Sequence, residues 1–241
     1  MSEKQTTNKQ NDEVRDILRG DHDNHYIRSG ISRPDVSPAV VKRLPRYFRY
    51  LRVLIREGKT RVSSAELSQM MNLTASQIRQ DLNCFGGFGQ QGYGYNVNYL
   101  YSKICDILGV SFGFRAAVVG AGNLGMALVK SPMFEKRGVD VVAMFDVSPD
   151  IIGKKVAGVN VYSMDELEEK LNEYGVHIAI FTLPKEFAED VMTRLANTGV
   201  RGVWNFTGKD LSGENDTVVI ENVHIGDSLM ALCYEVAKEF D

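Results

Sequence analysis

The chain has 241 residues, of which 44% are hydrophobic and 24% are charged, and its formal net charge at neutral pH is -3. These values are typical of a globular protein with room for one large domain or two ordinary ones. No apolar run approaches the ~20 residues of a transmembrane helix, and the polar residues 1–12 lack a signal-peptide core. We therefore expect a cytoplasmic protein without a membrane partner.

Cysteines and histidines give no sign of a disulfide framework or a metal site. Cys84, Cys105 and Cys233 are widely spaced, and each is expected to be a small buried apolar residue. His22 and His25 lie in a polar stretch, where packing cannot fix metal ligands. We expect no bound metal.

The charges are unevenly distributed along the chain. Acidic residues collect after residue 160, whereas residues 41–61 contain a single carboxylate, Glu57. A basic first third on an acidic body predicts a polyanionic partner for that third alone. The basic residues between 41 and 61 are Lys42, Arg43, Arg46, Arg49, Arg52, Arg56, Lys59 and Arg61.

The first element follows a polar segment, residues 1–36, that we expect to be disordered. Ser37 and Pro38 are typical of a helix start. Apolar residues then repeat at helical spacing as far as Ile55, so one face of the helix is predicted to be core and the arginines to lie on the other. Pro45 is expected to disturb this helix.

Two capping boxes follow, Ser63 with Glu66 and Thr74 with Gln77. They predict two short helices, about 65–71 and 75–85, joined by a turn at Asn72, which is the spacing of a helix-turn-helix. The second helix has an apolar face and a polar face. Its polar side chains are of the kind that reads base edges in a major groove: Ser76, Gln77, Arg79, Gln80 and Asn83.

Residues 85–95 are rich in glycine with aromatic residues at intervals. They are predicted to form two short strands around a turn, as in the wing of a winged helix. We expect residues 37–97 to bind duplex DNA. The alternative is a three-helix domain whose polar face is merely solvated.

A nucleotide-binding pattern begins after a helical linker predicted at 98–113. Ala116 to Val119 form a buried strand, and Gly120, Gly122 and Gly125 then match Gly-x-Gly-x-x-Gly. The helix that follows, about 123–130, is expected to direct its N-terminus at a pyrophosphate.

A second apolar run, 139–145, ends in Asp146, about 20 residues beyond the last glycine. Its carboxylate can accept both ribose hydroxyls of an adenosine and repels a 2′-phosphate, which favours NAD(H) over NADP(H). Coenzyme A on the same fold is the alternative ligand.

The remaining elements complete an α/β domain. Strands are predicted at 159–162, 176–181, 202–206 and 217–220, with helices after Ser163 and at 185–197. Residues 182–184 and 205–207 follow strands at the edge where ligands bind. A last helix, opened by Asp227, has a continuous apolar stripe that either docks on its own domain or is exchanged between two subunits.

An enzyme of this length needs a substrate domain and an acid/base partner for hydride transfer. The nucleotide fold occupies the sequence after Arg115, and His177 and His224 have no evident catalytic partner. The chain is thus predicted to bind a redox cofactor without evident catalytic residues to use it, and to bind DNA. This combination indicates a sensor and not an enzyme.

The order of these motifs resembles the bacterial Rex family of redox-sensing transcriptional repressors. The similarity covers about residues 37–240. It is carried by the winged helix, the Gly120 turn, Phe145-Asp146 and Asn205-Phe206, and the C-terminal run that begins at Glu221. Specific stretches are Arg43-Leu-Pro-Arg-Tyr, Gln77-Ile-Arg-Gln-Asp-Leu and the glycine-rich run from Phe85 to Tyr95.

The resemblance implies a homodimer that exchanges its C-terminal helices and binds a palindromic operator. NADH would release the protein from DNA, whereas NAD+ would permit binding. Arg79 matches the recognition-helix base reader. Gln80 and Gln91 depart from the basic residues common in the family, and we therefore expect a shifted operator sequence. The expected DNA contacts are Arg46, Arg49, Thr74, Ser76, Gln77, Arg79, Gln80, Gln91, Gly94 and Tyr95, and the expected cofactor contacts are Gly120, Gly122, Asn123, Leu124, Gly125, Asp146, Thr182, Pro184 and Phe206.

The predicted fold class is α/β, with an N-terminal winged helix-turn-helix domain, a Rossmann-like NAD(H)-binding domain and a domain-swapped C-terminal helix. The rival function is an NAD-dependent oxidoreductase with a basic N-terminal extension, and a coenzyme A-binding module is a third. The expected segments are a tail at 1–36, a winged helix at 37–97, a linker at 98–113, a Rossmann domain at 114–225 and a dimerisation helix at 226–241.

Overall fold

The computed structural model describes residues 36–85, 89–90, 93–212 and 218–240, with no side-chain detail for 89–90. The expected tail at 1–36 therefore lies almost wholly outside the described residues, as does Gln91. The chain divides into two compact units, residues 1–113 and 114–241. Among the described residues, no helix has both the length and the apolar character to cross a membrane.

The first unit is a small helical domain with a three-stranded antiparallel sheet, in which β3 lies between β1 and β2. A winged helix-turn-helix is confirmed by this order. Its elements are α1 (Pro38–Arg56), β1 (Arg61–Val62), α2 (Ser64–Met71), α3 (Ala75–Asn83), β2 (Gly89–Gln90), β3 (Gly94–Asn96) and α4 (Val97–Leu108), followed by a short 3-10 turn (Val110–Phe112).

Helix α4 belongs to the core of this unit. Leu100 and Ile104 are fully buried in one cluster with Leu44, Leu51 and residues of the helix-turn-helix. The prediction of a linker at 98–113 is corrected, because the apolar stripe of this helix packs against α1. The first unit therefore extends to Gly113, where glycine adopts φ +70° and the chain enters the second unit.

The second unit is a three-layer α/β domain, as predicted. Its elements are β4 (Phe114–Val119), α5 (Asn123–Lys130), β5 (Val139–Asp146), β6 (Lys155–Val156), β7 (Val159–Ser163), α6 (Leu167–Glu173), β8 (Ile178–Phe181), α7 (Ala188–Leu195), β9 (Gly202–Asn205), β10 (Val219–Asn222) and α8 (Ile225–Ala237), with 3-10 turns at Glu135–Arg137, Met164–Glu166 and Lys185–Phe187.

The sheet has the strand order β10-β9-β8-β4-β5-β7-β6. All neighbours are parallel except the short edge strand β6, which is antiparallel to β7. The chain runs from β4 outwards in one direction through β5 and in the other through β8, so the order reverses at β4. In such sheets ligands bind at the carboxyl ends of the strands beside this reversal.

Alternation along the central strands separates two apolar layers. Ala117, Val119 and Phe181 point into one layer, which also contains Leu171 and Leu195 of helices α6 and α7. On the other face Ala116, Val118 and Ile180 pack with Phe134, against which Trp204 and Phe206 lie. Strands buried on both faces explain the uninterrupted apolar runs in the sequence.

Several expected boundaries and burials are corrected. The last helix begins at Ile225 with His224 as its N-cap, and Asp227 lies within its first turn. Of the three cysteines only Cys105 is buried, and this burial raises the pKa of its thiol to about 12. Cys84 and Cys233, expected to be buried, are exposed: Cys84 is the C-cap of α3, and Cys233 lies on the exposed helix α8.

Candidate functional site

The turn of the helix-turn-helix is fixed by local hydrogen bonds. The Ser63 hydroxyl accepts from the Glu66 backbone N–H at 3.1 Å, and the Glu66 carboxylate accepts from the Ser63 N–H at 2.7 Å, which is a complete capping box. A hydrogen bond from Lys59 is the main cause that lowers the pKa of Glu66 to about 2. Asn72 ends α2 in the left-handed conformation, as predicted, at φ 49°.

Helix α3 presents a polar surface that is solvated at most of the predicted positions. Thr74, Ser76, Arg79 and Gln80 are exposed. The Thr74 hydroxyl accepts from the Gln77 backbone N–H at 3.1 Å. The second predicted capping box is only half formed, because the Gln77 side chain donates to Asp81 at 2.9 Å instead of reaching back to residue 74.

Arg43 is not on the solvated face of α1. Its guanidinium donates from Nε and Nη2 to the two carboxylate oxygens of Asp81, at 2.7 and 2.6 Å. Asp81 has no exposed side-chain surface. The expectation that every arginine of α1 faces solvent is therefore wrong for Arg43, since helical periodicity indicates a direction but not how far a long side chain reaches.

Three further arginines surround the helix-turn-helix. Arg46 donates from Nη2 to the backbone carbonyl of Met71 and so caps the end of α2. Arg49 is exposed, with its guanidinium 5.2 Å from the centre of the Tyr50 ring. Arg79 donates from Nη1 to the Ser64 hydroxyl at 3.1 Å. Arg49 and Arg79 thus offer most of their charge to solvent.

Two predicted DNA contacts, Gly94 and Tyr95, lie in the described part of the wing, and they differ in exposure. Gly94 has φ +69°, and a Cβ there would lie 2.7 Å from the Val62 carbonyl oxygen, so the backbone conformation requires glycine. Tyr95 is only 8% exposed and packs in the core of the first unit. Its expected role as a surface contact with DNA is corrected to support of the wing from inside, since alternation along β3 turns Tyr95 towards the core.

Tyr93 is a surface residue of the wing that the sequence analysis did not single out. Its side chain is 69% exposed. Arg61 donates to the Tyr93 carbonyl at 3.1 Å and its guanidinium lies 5.8 Å from the ring centre. Tyr93 precedes β3, so the alternation that buries Tyr95 gives no sequence signal for it.

In the second unit the three motif glycines have distinct roles. Gly120 has φ +100°, and a Cβ there would lie 2.7 Å from the Leu183 nitrogen. A Cβ at Gly125 would lie 2.2 Å from the Gly120 carbonyl oxygen. A Cβ at Gly122, in contrast, would meet none of the described atoms within 4 Å. The fold itself requires Gly120 and Gly125, whereas Gly122 keeps space clear outside the fold.

That space lies at the N-terminus of α5. Gly122 is the N-cap of this helix, and no described side chain caps it. Asn123 is exposed and Leu124 is partly exposed in the first turn, while Gly125 is buried against the sheet. A helix start with uncapped N–H groups and the positive end of the helix dipole is suited to an anion such as a pyrophosphate.

Asp146 stands at the end of β5, beside the glycine turn. Its Oδ2 accepts from the Ala121 N–H at 2.6 Å, and its Oδ1 accepts from the Ser148 N–H at 2.8 Å. A carboxylate has about four acceptor sites, so two remain for hydroxyl donors. The two backbone hydrogen bonds fix the orientation of the carboxylate beside the glycine turn.

Thr182 and Pro184 follow β8, next to the same turn. The Thr182 hydroxyl donates to the Gly120 carbonyl at 2.7 Å, which ties the two strand ends together. Pro184 is exposed and precedes the turn at Lys185–Phe187. The structure therefore brings Thr182 to the glycine turn, which it helps to hold, and Pro184 follows two residues later.

Phe206 follows β9. Its ring lies 4.5 Å, centre to centre, from Trp204 in an edge-on arrangement, and it remains partly exposed. The neighbouring Asn205 is 1% exposed and holds the loop through Thr207 and Lys209. An apolar ring beside a rigid loop is a suitable wall for a flat uncharged ligand.

The candidate cofactor residues thus fit a dinucleotide by their chemistry. The clear space at Gly122 accepts backbone contact with a pyrophosphate, and Asp146 offers two acceptors for a ribose. The aromatic side chain of Phe206 follows the carboxyl end of β9, which is separated from β4 by β8.

The two histidines that the structure describes, His177 and His224, are both engaged by other groups of the second unit. His177 precedes β8, at the sheet edge opposite the glycine turn, where its Nδ1 accepts from the Arg115 N–H at 3.1 Å. Burial lowers its pKa. His224 pairs with Asp210 at 2.8 Å. Among the residues that the structure describes, no group of three or more potential ligands could hold a metal ion.

No residue of helix α8 belongs to the buried core of the part of the chain that the structure describes. Every described residue from 225 to 240 is exposed. The predicted stripe is therefore solvent-facing, with Leu229 60% and Leu232 59% exposed. Large exposed apolar stripes mark interaction surfaces, and the first of the two predicted alternatives, docking on its own domain, is not what the structure shows.

Comparison with family models gives two matches. Residues 114–208 match the model described as a CoA binding domain, and residues 35–83 match the one described as a putative DNA-binding protein N-terminus. The first lies within the second unit and contains the glycine turn and Asp146. The second lies within the first unit and contains the helix-turn-helix.

Curated relatives are similar to the chain over most of its length. The redox-sensing transcriptional repressor Rex of Clostridium novyi is 48% identical over 200 residues, which is 83% of this chain and 95% of the relative. The protein of the same name from Caldicellulosiruptor saccharolyticus is 46% identical over 207 residues, 86% of this chain and 94% of the relative.

Solved structures agree. RSP, a Rex-family repressor, in complex with β-NAD+ and operator DNA is 45% identical with a TM-score of 0.80, over 85% of this chain and 94% of that one. RSP in complex with β-NADH is 41% identical with a TM-score of 0.78, over 85% of this chain and 96% of that one.

Proposed function

Because this chain belongs to the Rex family of redox-sensing transcriptional repressors, we propose that it represses transcription by binding a palindromic operator and that NADH releases it. The observation that carries the proposal is the joining of two units in one chain. One presents the exposed polar side of a recognition helix, and the other has a glycine turn suited to a dinucleotide. A cofactor-binding fold that reads DNA acts as a sensor and not as an enzyme.

The cofactor is NAD(H). Gly122 and the first turn of α5, with Asn123 and Leu124, receive the pyrophosphate, while Gly120 and Gly125 maintain the turn. Asp146 accepts from the adenosine ribose. When bound, the nicotinamide supplies the redox-dependent charge, since the oxidised ring is cationic and the reduced ring is neutral.

The residues around the nicotinamide discriminate between these two charge states. Phe206 and Pro184 offer apolar surface, which favours the neutral ring because a cation loses hydration there. Thr182 positions the strand ends that carry them. The population of the DNA-binding state changes only to the extent that NADH and NAD+ differ in their affinity for it. The protein therefore responds to the ratio of the two cofactors.

The operator contacts divide into two classes. Thr74, Ser76, Gln77, Arg79 and Gln80 lie on or at the start of α3, where side chains reach base edges in the major groove. Arg49 contacts phosphate, which contributes affinity without sequence preference. Arg46 contributes less, because its guanidinium already donates to Met71.

Gln80 and the wing contribute to operator choice. Gln80 offers a donor and an acceptor where a lysine would offer donors alone, which favours adenine and a shifted operator. Gly94 belongs to the wing, where Tyr93 and Arg61 provide the exposed aromatic and basic surface, and Gln91, which lies outside the described residues, is a further proposed contact.

The homodimer forms through α8. The exposed apolar side chains of this helix, among them Leu229, Leu232 and Val236, are not covered by the described residues of their own chain. A second copy of the chain covers them by exchange of the helix. Two first units are then joined in one molecule, which matches a palindromic site with two half-sites.

The test is selection of operator sites from a randomised duplex library by the full-length protein in NAD+, followed by retesting at fixed salt in NAD+ and NADH. We expect a palindrome whose binding NADH abolishes. No selected site, or one indifferent to both cofactors, would contradict the proposal. Two control assays, NADH consumption with small carbonyl substrates and thermal stabilisation by coenzyme A, detect the oxidoreductase and the coenzyme A-binding module.

A further inference from the structure

Asp81 is a buried carboxylate on the recognition helix. The exposed polar side chains of α3 face solvent, yet Asp81 lies between α3 and α1 with none of its side chain exposed. Arg43 binds both of its oxygens, and the Tyr47 hydroxyl donates to Oδ2 at 3.0 Å. Arg43 and Tyr47 are one turn apart on α1, so two side chains of one helix hold a single carboxylate of the other.

The carboxylate stays ionised in this position. Burial raises the pKa of Asp81, but hydrogen bonds from Arg43, Gln77 and Tyr47 and the charge of Arg43 outweigh that effect, and the pKa lies below its ordinary value. An ionised carboxylate accepts hydrogen bonds and cannot donate them.

This fixes the orientation of the Gln77 amide. The side chain of Gln77 contacts Oδ1 of Asp81 at 2.9 Å. Because that oxygen only accepts, the contacting atom must be the amide nitrogen, and the amide oxygen must face elsewhere. Gln77 therefore keeps one acceptor, Oε1, and one remaining N–H for other partners, whereas an untied glutamine can present both of its N–H donors.

Gln77 stands in the first turn of α3, the end of a recognition helix that meets base edges. An acceptor beside a donor matches adenine, which offers N6–H and N7 in the major groove. Guanine offers two acceptors, O6 and N7. The Gln77 oxygen would then face another acceptor, with no hydrogen between them to form a bond.

We propose that Asp81 is a specificity-positioning residue: by tying the Gln77 amide nitrogen, it makes Gln77 select adenine over guanine at one position of each operator half-site. Arg43, which binds both oxygens of Asp81, positions this carboxylate and reaches the operator only through it. The inference rests on the proposed function, because it requires that α3 reads DNA.

The test compares operator selection by the full-length protein and its variants in NAD+. Gln77→Ala identifies the half-site position that Gln77 reads, and Arg79→Ala identifies the position read by its neighbour. In Asp81→Asn, the new side chain has the same shape but can donate as well as accept. The Gln77 amide can then contact it through either its oxygen or its nitrogen, so its orientation is no longer fixed. The preference for adenine over guanine at the Gln77 position then falls about tenfold, the scale of one bidentate base contact, while the Arg79 position keeps its preference.

A merely structural role for Asp81 predicts a different pattern. A loosened helix α3 would weaken preferences at every position and lower the affinity for non-specific duplex as well. Tyr47→Phe is the matched control, because it removes one hydrogen bond from Asp81 and leaves Arg43 and Gln77 in place. It should select the wild-type operator.

Folding of each variant is checked by its thermal unfolding midpoint. If Asp81→Asn does not fold, the double variant Arg43→Met with Asp81→Leu removes both charges together, which buried ion pairs commonly tolerate, and the same loss of preference is expected. If neither folds, hydrogen exchange of the Gln77 side-chain amide in the unmutated protein decides, with one hydrogen protected as the expected result and two equally fast hydrogens as the contrary one.

The proposal is overturned if Asp81→Asn keeps the wild-type adenine preference, or if Gln77→Ala changes no position of the operator. Neither outcome affects the proposed function, which depends on selection of a palindrome by the unmutated protein and on its release by NADH.

Discussion

The side-chain amide of Asn205 donates to the side-chain oxygen of Asn222 at 2.8 Å, which joins the carboxyl ends of β9 and β10. Asn205 Nδ2 also donates to the Lys209 carbonyl at 2.7 Å, and its Oδ1 accepts from the Thr207 N–H and hydroxyl at 3.0 and 2.8 Å. One buried amide thus holds the loop that begins with Phe206.

Replacement of Asn205 by alanine should therefore destabilise the second unit. Buried backbone and hydroxyl groups lose their partner, and we expect a loss of about 2–4 kcal/mol in the free energy of unfolding. Denaturant unfolding measures it. Asn160→Ala is the control, because Asn160 donates to the Tyr162 hydroxyl at 3.2 Å in a partly exposed setting, and an equal effect of both changes would contradict the assignment.

Gly122→Ala should separate cofactor binding from folding. A Cβ at residue 122 meets no described atom within 4 Å, so the unfolding midpoint should be unchanged. The methyl group occupies the space assigned to the pyrophosphate, and NADH affinity should fall at least tenfold. Fluorescence titration with NADH measures this affinity.

Gly125→Ala is the matched change for that experiment, since its Cβ would lie 2.2 Å from the Gly120 carbonyl. It should lower the unfolding midpoint as well as the affinity. Unchanged NADH affinity in Gly122→Ala would refute the placement of the pyrophosphate.

Asp146→Asn should weaken discrimination against NADPH. The change removes the negative charge that repels a 2′-phosphate and replaces one acceptor by a donor, which faces the Ala121 or Ser148 N–H unfavourably. We expect weaker NADH binding and an NADH-to-NADPH affinity ratio closer to one. Isothermal titration with each cofactor measures the ratio, and a ratio equal to that of the unmutated protein would show that Asp146 does not face the ribose.

The pair formed by His224 and Asp210 should make stability depend on pH. The hydrogen bond and charge of Asp210 raise the pKa of His224 above its ordinary value. The protonated imidazole therefore stabilises the fold fully below the unfolded-state pKa of about 6.5, and this contribution is lost as the pH rises through the higher folded-state pKa.

We expect His224→Gln to lower the unfolding midpoint at pH 5.5–6 and to have little effect at high pH. The difference between the two proteins should disappear as the pH rises through the folded-state pKa of His224. A proton NMR titration of the His224 ring gives its pKa directly. Asp210→Asn should return that pKa towards its ordinary value, and a His224 pKa at or below the ordinary value in the unmutated protein would exclude the pair.

Charged residues on the stripe of α8 should dissociate the dimer. Leu229→Glu together with Leu232→Glu places two carboxylates where apolar contact is expected, at side chains that are 60% and 59% exposed in the isolated chain. Analytical ultracentrifugation should show monomers that retain the fold of both units. Glu235→Gln with Lys238→Gln on the same helix is the control and should remain dimeric, whereas a monomeric unmutated protein would rule out α8 as the interface.

Local chemistry explains which features could be predicted from the sequence. The conformations of Gly120 and Asn72, the capping box at Ser63 and the helix Asn123–Lys130 depend on residues close together in the chain, and the structure agrees with each. The carboxylate of Asp146 could be placed because a strand of known direction leads to it.

Other features depend on contacts between distant residues. Arg43 and Asp81 are 38 positions apart, and no periodic pattern on α1 indicates that they meet. The stripe of Val97–Leu108 showed that one face is buried but not against which partner, and it was assigned to a linker. Strand β6 has two residues, too few for any alternation to be recognised.

The separation of tasks between the two units has a genetic consequence. The residues proposed to read the operator lie in the first unit, whereas α8, the proposed dimer interface, belongs to the second. An allele that damages only α3 would still produce a subunit able to take up a normal partner through α8. Such mixed dimers have one working half for a two-half site, so we expect recognition-helix alleles to be dominant over the wild type and α8 alleles to be recessive.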